Sequence, residues 1–141
     1  MPNIDTNIMY MKIAYEIATQ SYCERRQVGS VIVKNGQIIS DGFNGTPSGF
    51  DNCCEIDPST TKPEVLHAEA NALAKVGKST NSSEGSTMYV TLSPCFECSK
   101  LLIQFGIEKV YYCEEYRDLS GIDLLNKKGI KVERIILDDN N

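Results

Sequence analysis

Apolar side chains recur at helical spacing from the start of the chain. Ile4, Ile8, Met11, Tyr15, Ala18 and Tyr22 fall on one stripe, with Ile13 and Ile17 widening it, which predicts an amphipathic helix over residues 4–22. Two β-branched runs follow, Val28 to Val33 and Gln37 to Ser40, joined by Asn35-Gly36, a strong hairpin signal. Residues 44–64 are rich in Gly, Pro, Ser, Thr and Asx with no sustained period, and read as a long functional loop. The run HAEANALAKVG then predicts a helix with Gly77 at its C′ position. Thr87 to Leu92 is a third strand. Ser93-Pro94 offers an N-cap residue and a proline at the first helical position, for a helix that runs to about Phe105 and stops at Gly106. Lys109 to Cys113 reads as a fourth strand, Leu119 to Lys128 as a last helix ending before Gly129, and Lys131 to Leu137 as a fifth strand before the polar tail DDNN.

The order is therefore α β β α β α β α β. Strand–helix–strand crossovers favour parallel pairing, so the second half of the sheet is expected parallel, with the antiparallel hairpin at one side. The expected fold class is α/β, a three-layer α/β/α sandwich around a five-stranded mixed sheet. With 141 residues, no repeat and no linker, residues 1–141 read as one domain.

Composition narrows the function classes. Fourteen Lys and Arg against nineteen Asp and Glu give a net charge of −5, a poor balance for gripping a nucleic acid, whose affinity rests on a basic patch. The sequence shows neither a secretory leader pattern nor a membrane-length apolar run, so no membrane partner and a cytoplasmic location are expected. Six cysteines beside a single histidine then point to metal or thiol chemistry before disulfides.

Two motifs carry that chemistry: His67-Ala68-Glu69 and Pro94-Cys95-Phe96-Glu97-Cys98. Cys95 and Cys98 stand three apart at a helix start, on one face, where free N–H groups and the helix dipole favour thiolates. With His67 they make a three-ligand Zn²⁺ site whose fourth tetrahedral position stays open, the mark of a catalytic rather than a structural zinc. Glu69 and His67 can address one point only at the frayed start of a helix, so two helix N-termini are expected to converge on the metal, with Glu69 as general acid/base. CxxC alone fits a redox pair equally well, but that reading leaves HxE without a role.

HxE followed by PCxxC is the zinc deaminase signature, and the chain resembles the cytidine and deoxycytidylate deaminase superfamily, most closely its deoxycytidylate (dCMP) deaminases, including phage-type members. The resemblance is carried by residues 27–54, HAEANA at 67–72, TMYVTLSPCFEC at 87–98 and KVYYCEEYRD at 109–118. It implies hydrolytic deamination of dCMP to dUMP and ammonia, by attack of a zinc-bound hydroxide on the amidine carbon of the base, supplying dUMP for thymidylate synthesis. It further implies that Arg26 holds the 5′-phosphate, Asn44 contacts the 3′-hydroxyl, the backbone around Ala68 and Ser93 reads the pyrimidine edge, and Tyr116 closes over the substrate. Activation by dCTP and inhibition by dTTP, with Mg²⁺, would involve the turn Gly42-Phe43-Asn44-Gly45, in a homo-oligomer such as a hexamer. Some phage relatives carry a second zinc on two cysteines and two histidines. Cys23 with Cys53 or Cys54 match the cysteine half, but the histidines are missing, so these three are expected as free or buried thiols rather than a thiolate-rich site, and Cys113 as a core residue. The alternatives are a tRNA adenosine deaminase, which shares both motifs, and a non-catalytic zinc-binding module.

Overall fold

The computed structural model describes residues 4–137; the polar tail lies outside them, as do the side chains of residues 4 and 5. Its elements run α1 (Ile4–Ala18), β1 (Gly29–Lys34), β2 (Gln37–Phe43), β3 (Glu55–Asp57), β4 (Thr60–Thr61), α2 (Ala68–Gly77), β5 (Thr87–Leu92), α3 (Phe96–Gln104), β6 (Lys109–Glu114), α4 (Ser120–Lys128) and β7 (Lys131–Arg134). The main sheet has five strands in the order β2-β1-β5-β6-β7. β5, β6 and β7 are parallel, while β1 pairs antiparallel with both β2 and β5. This is the expected mixed sheet, with the hairpin at one side.

Alternation along the strands builds two cores. Ile32, Met88, Val90, Val110 and Tyr112 face one way and pack with Ala72 and Leu73 of α2, Leu102 of α3 and Leu125 of α4. Val31, Val33, Tyr89 and Tyr111 face the other way, against Tyr10, Met11 and Ala14 of α1. Helices on both faces complete the α/β/α sandwich, and no helix among the described residues is long and apolar enough to cross a membrane.

The structure departs from the sequence pattern at particular points. α1 stops at Ala18, where Thr19 turns its hydroxyl back onto the Glu16 carbonyl at 2.6 Å, so Tyr22 lies beyond the helix and is exposed. Residues 44–64 are not all loop: β3 and β4 form a short hairpin, its turn closed by Asp57 Oδ1 accepting from both N–H and hydroxyl of Ser59. Strands this short show no period. Gly77 is the last helical residue and Lys78 is the C-cap, so Gly77 is not the C′ residue. The last strand ends at Arg134 rather than Leu137.

The cysteines outside the motifs also differ from expectation. Cys23 and Cys54 form a disulfide that ties the α1–β1 loop to the start of the β3–β4 hairpin, and Cys53 is an exposed free thiol. The Glu55 carboxylate stands beside the pair but accepts from the backbone N–H groups of Glu24 and Arg25, at 3.1 and 3.2 Å. Cys113 is half-buried against the tyrosine core.

With its cysteines 31 residues apart, the bond removes loop-closure entropy from the unfolded chain. Cys54→Ser is expected to lower the unfolding free energy by about 3–4 kcal/mol. Urea denaturation of the variant and of the oxidised wild type checks this, and equal midpoints would contradict it.

Candidate active site

The sheet topology gathers the functional residues at one edge. β5 and β6 are parallel, so their C-terminal ends, at Leu92 and Glu114, lie side by side. β1 runs the opposite way, which brings its N-terminal end and the C-terminal end of β2 to the same edge, with Gly29 opposite Phe43. Loops leaving these four strand ends therefore share one rim, the usual place for ligands in open α/β sheets. There a cavity of about 510 Å³ is lined by Arg26, Val28, Asn44, His67, Ala68, Glu69, Leu92, Ser93, Cys95 and Tyr116 among others.

In its wall the two motifs meet, with His67 exposed, Cys95 half-buried and Cys98 buried behind it. His67 is the N-cap of α2 and Cys95 the N-cap of α3, both with extended backbone. The N-cap of α3 is thus not Ser93: the Cys95 sulfur accepts from the Cys98 N–H at 3.4 Å. Ser93 Oγ instead accepts from the Tyr116 N–H at 2.7 Å and fixes the loop after β6. His67 Nδ1 lies 3.5 Å from Cys95 Sγ and 3.4 Å from Cys98 Sγ. A tetrahedral Zn²⁺ with Zn–S of about 2.3 Å and Zn–N of about 2.0 Å puts ligand atoms about 3.6 Å apart, so the three donors fit that ion.

Close packing holds the two helix starts in place. A Cβ on Gly42 of β2 would stand 2.5 Å from both the Ala68 carbonyl oxygen and the Ala72 nitrogen, so glycine lets the first turn of α2 lie against the strand. Gly121 of α4 does the same beneath the α3 entry, where a Cβ would meet the Pro94 oxygen at 2.3 Å. The Ser30 hydroxyl donates to the Ala68 carbonyl at 2.9 Å.

The electrostatics follow from this placement. The Cys95 thiol is pulled down to about 4 by the hydrogen bond from Cys98, by His67 and by the helix N–H, while Cys98 is pushed up by its bond to Cys95 and by burial. His67 is raised, first by its hydrogen bond to Cys95. Glu69 is 3% exposed, and burial pushes its carboxyl up to about 7, where it can both take and release a proton.

Arg25, Arg26 and Lys62 bring cationic groups to the cavity lining, beside the Glu55 carboxylate. Arg26 lines the cavity and donates through Nη2 to Glu114 Oε1 at 2.7 Å. Asn44 lines it too, but its amide also organises the chain: Oδ1 accepts from the Val28 N–H at 2.9 Å and Nδ2 donates to the Arg26 carbonyl at 2.8 Å. Tyr116 is half-exposed over the opening and is not a core residue. Gly42, Phe43 and Gly45 are not among the lining residues. Gly45 instead pairs through its backbone with Leu66, just before His67, and the Phe43 carbonyl accepts from Asn71 Nδ2 at 2.8 Å. Sequence reasoning missed Arg25, Glu55, Thr61 and Lys62, which line the cavity together with Cys23, Pro63 and Val65. The Arg-Arg doublet was a visible signal for Arg25, but the hairpin carrying Glu55 and Thr61 left no periodic trace.

Comparison with known proteins agrees with this geometry. The family model of the cytidine and deoxycytidylate deaminase zinc-binding region matches residues 5–114. Deoxycytidylate deaminase of enterobacteria phage T4 is 36% identical, with 86% of each chain covered. The human deoxycytidylate deaminase is also 36% identical, over 90% of this chain and 78% of its own. The dCMP deaminase of cyanophage S-TIM5, solved in complex with dCMP and dUMP, superposes with a TM-score of 0.91 at 48% identity, covering 96% of this chain and 99% of that one. The chain belongs to the cytidine and deoxycytidylate deaminase family, and is an enzyme of that zinc-dependent class.

Cys95→Ser is expected to lose most bound zinc, because it removes one of three ligands, whereas Glu69→Gln should keep about one zinc per chain. Metal analysis of the purified variants decides; full occupancy in Cys95→Ser would contradict the ligand set.

Proposed function

We propose that the protein deaminates dCMP, converting dCMP and water to dUMP and ammonia and so supplying dUMP for thymidylate synthesis. The observation that carries this reading is one cavity whose lining includes His67 and Cys95 of the metal cluster, buried Glu69 and half-exposed Arg26. That lining suits a base beside Glu69 and a single phosphate on Arg26. A strong likeness to a relative solved with dCMP and dUMP supports the same substrate.

His67, Cys95 and Cys98 would hold Zn²⁺, which when bound would supply Lewis-acid activation of the attacking water near neutral pH. Glu69 moves the protons. As carboxylate it takes one from the water; as carboxylic acid, a form its burial favours, it delivers that proton to the pyrimidine ring nitrogen; as carboxylate again it takes the proton of the new C4 hydroxyl and passes it to the amino group, which leaves as ammonia while the C4 carbonyl forms. The backbone at Ala68 and Ser93 reads the pyrimidine edge, since a buried base needs its polar atoms paired. Arg26 takes the phosphate through the part of its fork that Glu114 does not use. Asn44 meets the 3′-hydroxyl with its remaining N–H, and Tyr116 covers the sugar and phosphate.

The regulatory part of the reading places dCTP activation and dTTP inhibition, with Mg²⁺, at the turn Gly42-Phe43-Asn44-Gly45, in a homo-oligomer. The Gly45–Leu66 backbone pair and the Asn71–Phe43 bond support it, because a shift of this turn would reach His67, α2 and Asn44 together.

One kinetic experiment tests these assignments. Ammonia release is measured with dCMP, CMP, deoxycytidine and an adenosine-containing tRNA loop, with and without each triphosphate. Turnover is expected on dCMP, lowered at least about a hundredfold in kcat by Glu69→Gln. Arg26→Ala should mainly raise KM for dCMP. Activity on the tRNA alone would overturn the substrate assignment, and identical dCMP saturation curves with and without dCTP and dTTP would remove the regulation.

A further inference from the structure

Glu114 ends β6 at the same rim, yet the reaction as derived gives it no part. Its carboxylate is spent on two side chains from elements far apart in sequence. Oε1 accepts from Arg26 Nη2 at 2.7 Å, and Oε2 accepts from the Tyr15 hydroxyl at 2.5 Å, while the Glu114 carbonyl accepts from the Ser93 N–H at 2.8 Å. Tyr15 stays a donor, since burial, then Cys113 and Glu114, hold its phenol above the ordinary value. The carboxylate is thereby fixed to α1 on one side and to the sheet through its own backbone.

Arg26 depends on this anchor. It lies in the irregular α1–β1 segment, with its side chain about half exposed, and a free arginine there would lose considerable rotamer freedom on gripping a ligand. Its main chain is fixed by Asn44 Nδ2, and among the described residues its guanidinium has one hydrogen-bond partner, Glu114. Nε and Nη1 keep their donors for an anion. A planar guanidinium can serve a carboxylate on one edge and a phosphate on another, which an ammonium cannot do with the same geometry. The neighbouring Arg25 is committed differently, to Thr61 Oγ1 on the hairpin at 3.0 Å.

We propose that Glu114, supported by Tyr15, is a positioning residue for the substrate phosphate: it holds Arg26 in its phosphate-binding orientation before the nucleotide arrives. This rests on the reading of Arg26 as the phosphate ligand. The contribution is preorganisation, because the ordering cost of the Arg26 side chain falls on folding instead of on binding. It also makes Glu114 a determinant of the preference for a nucleoside monophosphate over the free nucleoside. The phosphate-free ligand makes no use of Arg26.

Binding of dUMP and of deoxyuridine to the zinc-loaded protein, read by calorimetry, tests this. Glu114→Ala is expected to weaken dUMP about tenfold while leaving deoxyuridine within about twofold, and Glu114→Gln, which keeps an acceptor for Arg26, should recover part of the loss. In an Arg26→Ala background, Glu114→Ala should have no further effect on dUMP. A wild type that does not prefer dUMP to deoxyuridine would overturn the phosphate reading itself. A wild type that does, with Glu114→Ala keeping that preference in full or weakening both ligands equally, would overturn the role of Glu114 alone.

Discussion

The N-termini of α2 and α3 reach one point at the edge of the sheet, where His67 Nδ1 comes within 3.5 Å of both motif sulfurs. Each ligand there doubles as a cap or first-turn residue, so the site and the helix ends are one construction. The approach depends on backbone lying against backbone. Any side chain at Gly42 would push α2 away from β2, and one at Gly121 would push α4 out from under Pro94 and Cys95. The sheet topology supplies the common rim, and these contacts set the distance across it.

Two different electrostatic settings follow within one cavity. At the metal cluster, the hydrogen bond from Cys98, then His67 and the Cys98 N–H, favour thiolate at Cys95, while burial in the same place disfavours charge on Glu69. A carboxyl balanced near neutrality can carry protons in both directions, which a solvated glutamate could not do as readily. In the same lining Arg25, Arg26 and Lys62 outnumber the Glu55 carboxylate, a local excess of positive charge in a chain of net charge −5. The overall charge disfavours a nucleic-acid partner, whereas one local cluster suffices for a single phosphate.

Much of this was legible in the residues, for identifiable reasons. The strand–helix alternation after Thr87 predicts parallel pairing, and the Asn35-Gly36 turn fixes the hairpin, so the mixed sheet follows from local signals. His67, Glu69, Cys95 and Cys98 stand out because their spacing has a chemical reason. What stayed hidden depends on long-range contacts or on segments too short to have a period. The resemblance groups Cys23 with Cys53 or Cys54 without saying which of the two it meets, and an expected intracellular setting argued against a disulfide between Cys23 and Cys54. Ser93-Pro94 looks like a helix entry, but tertiary contact gives Ser93 to Tyr116 and leaves capping to Cys95. Arg26 stands in the sequence in an Arg-Arg doublet with nothing local to orient it; only the fold brings Glu114, 88 residues away, against it.

In the proposed reaction one metal and one nucleotide share this cavity. Anomalous diffraction at the zinc edge, from crystals of the zinc-loaded protein grown with dUMP, tests that most directly. The predicted result is a zinc peak bound by His67 Nδ1, Cys95 Sγ and Cys98 Sγ, with the pyrimidine beside Glu69 and the phosphate on Arg26. A zinc peak away from those three atoms, or dUMP bound with its phosphate away from Arg26, would contradict it.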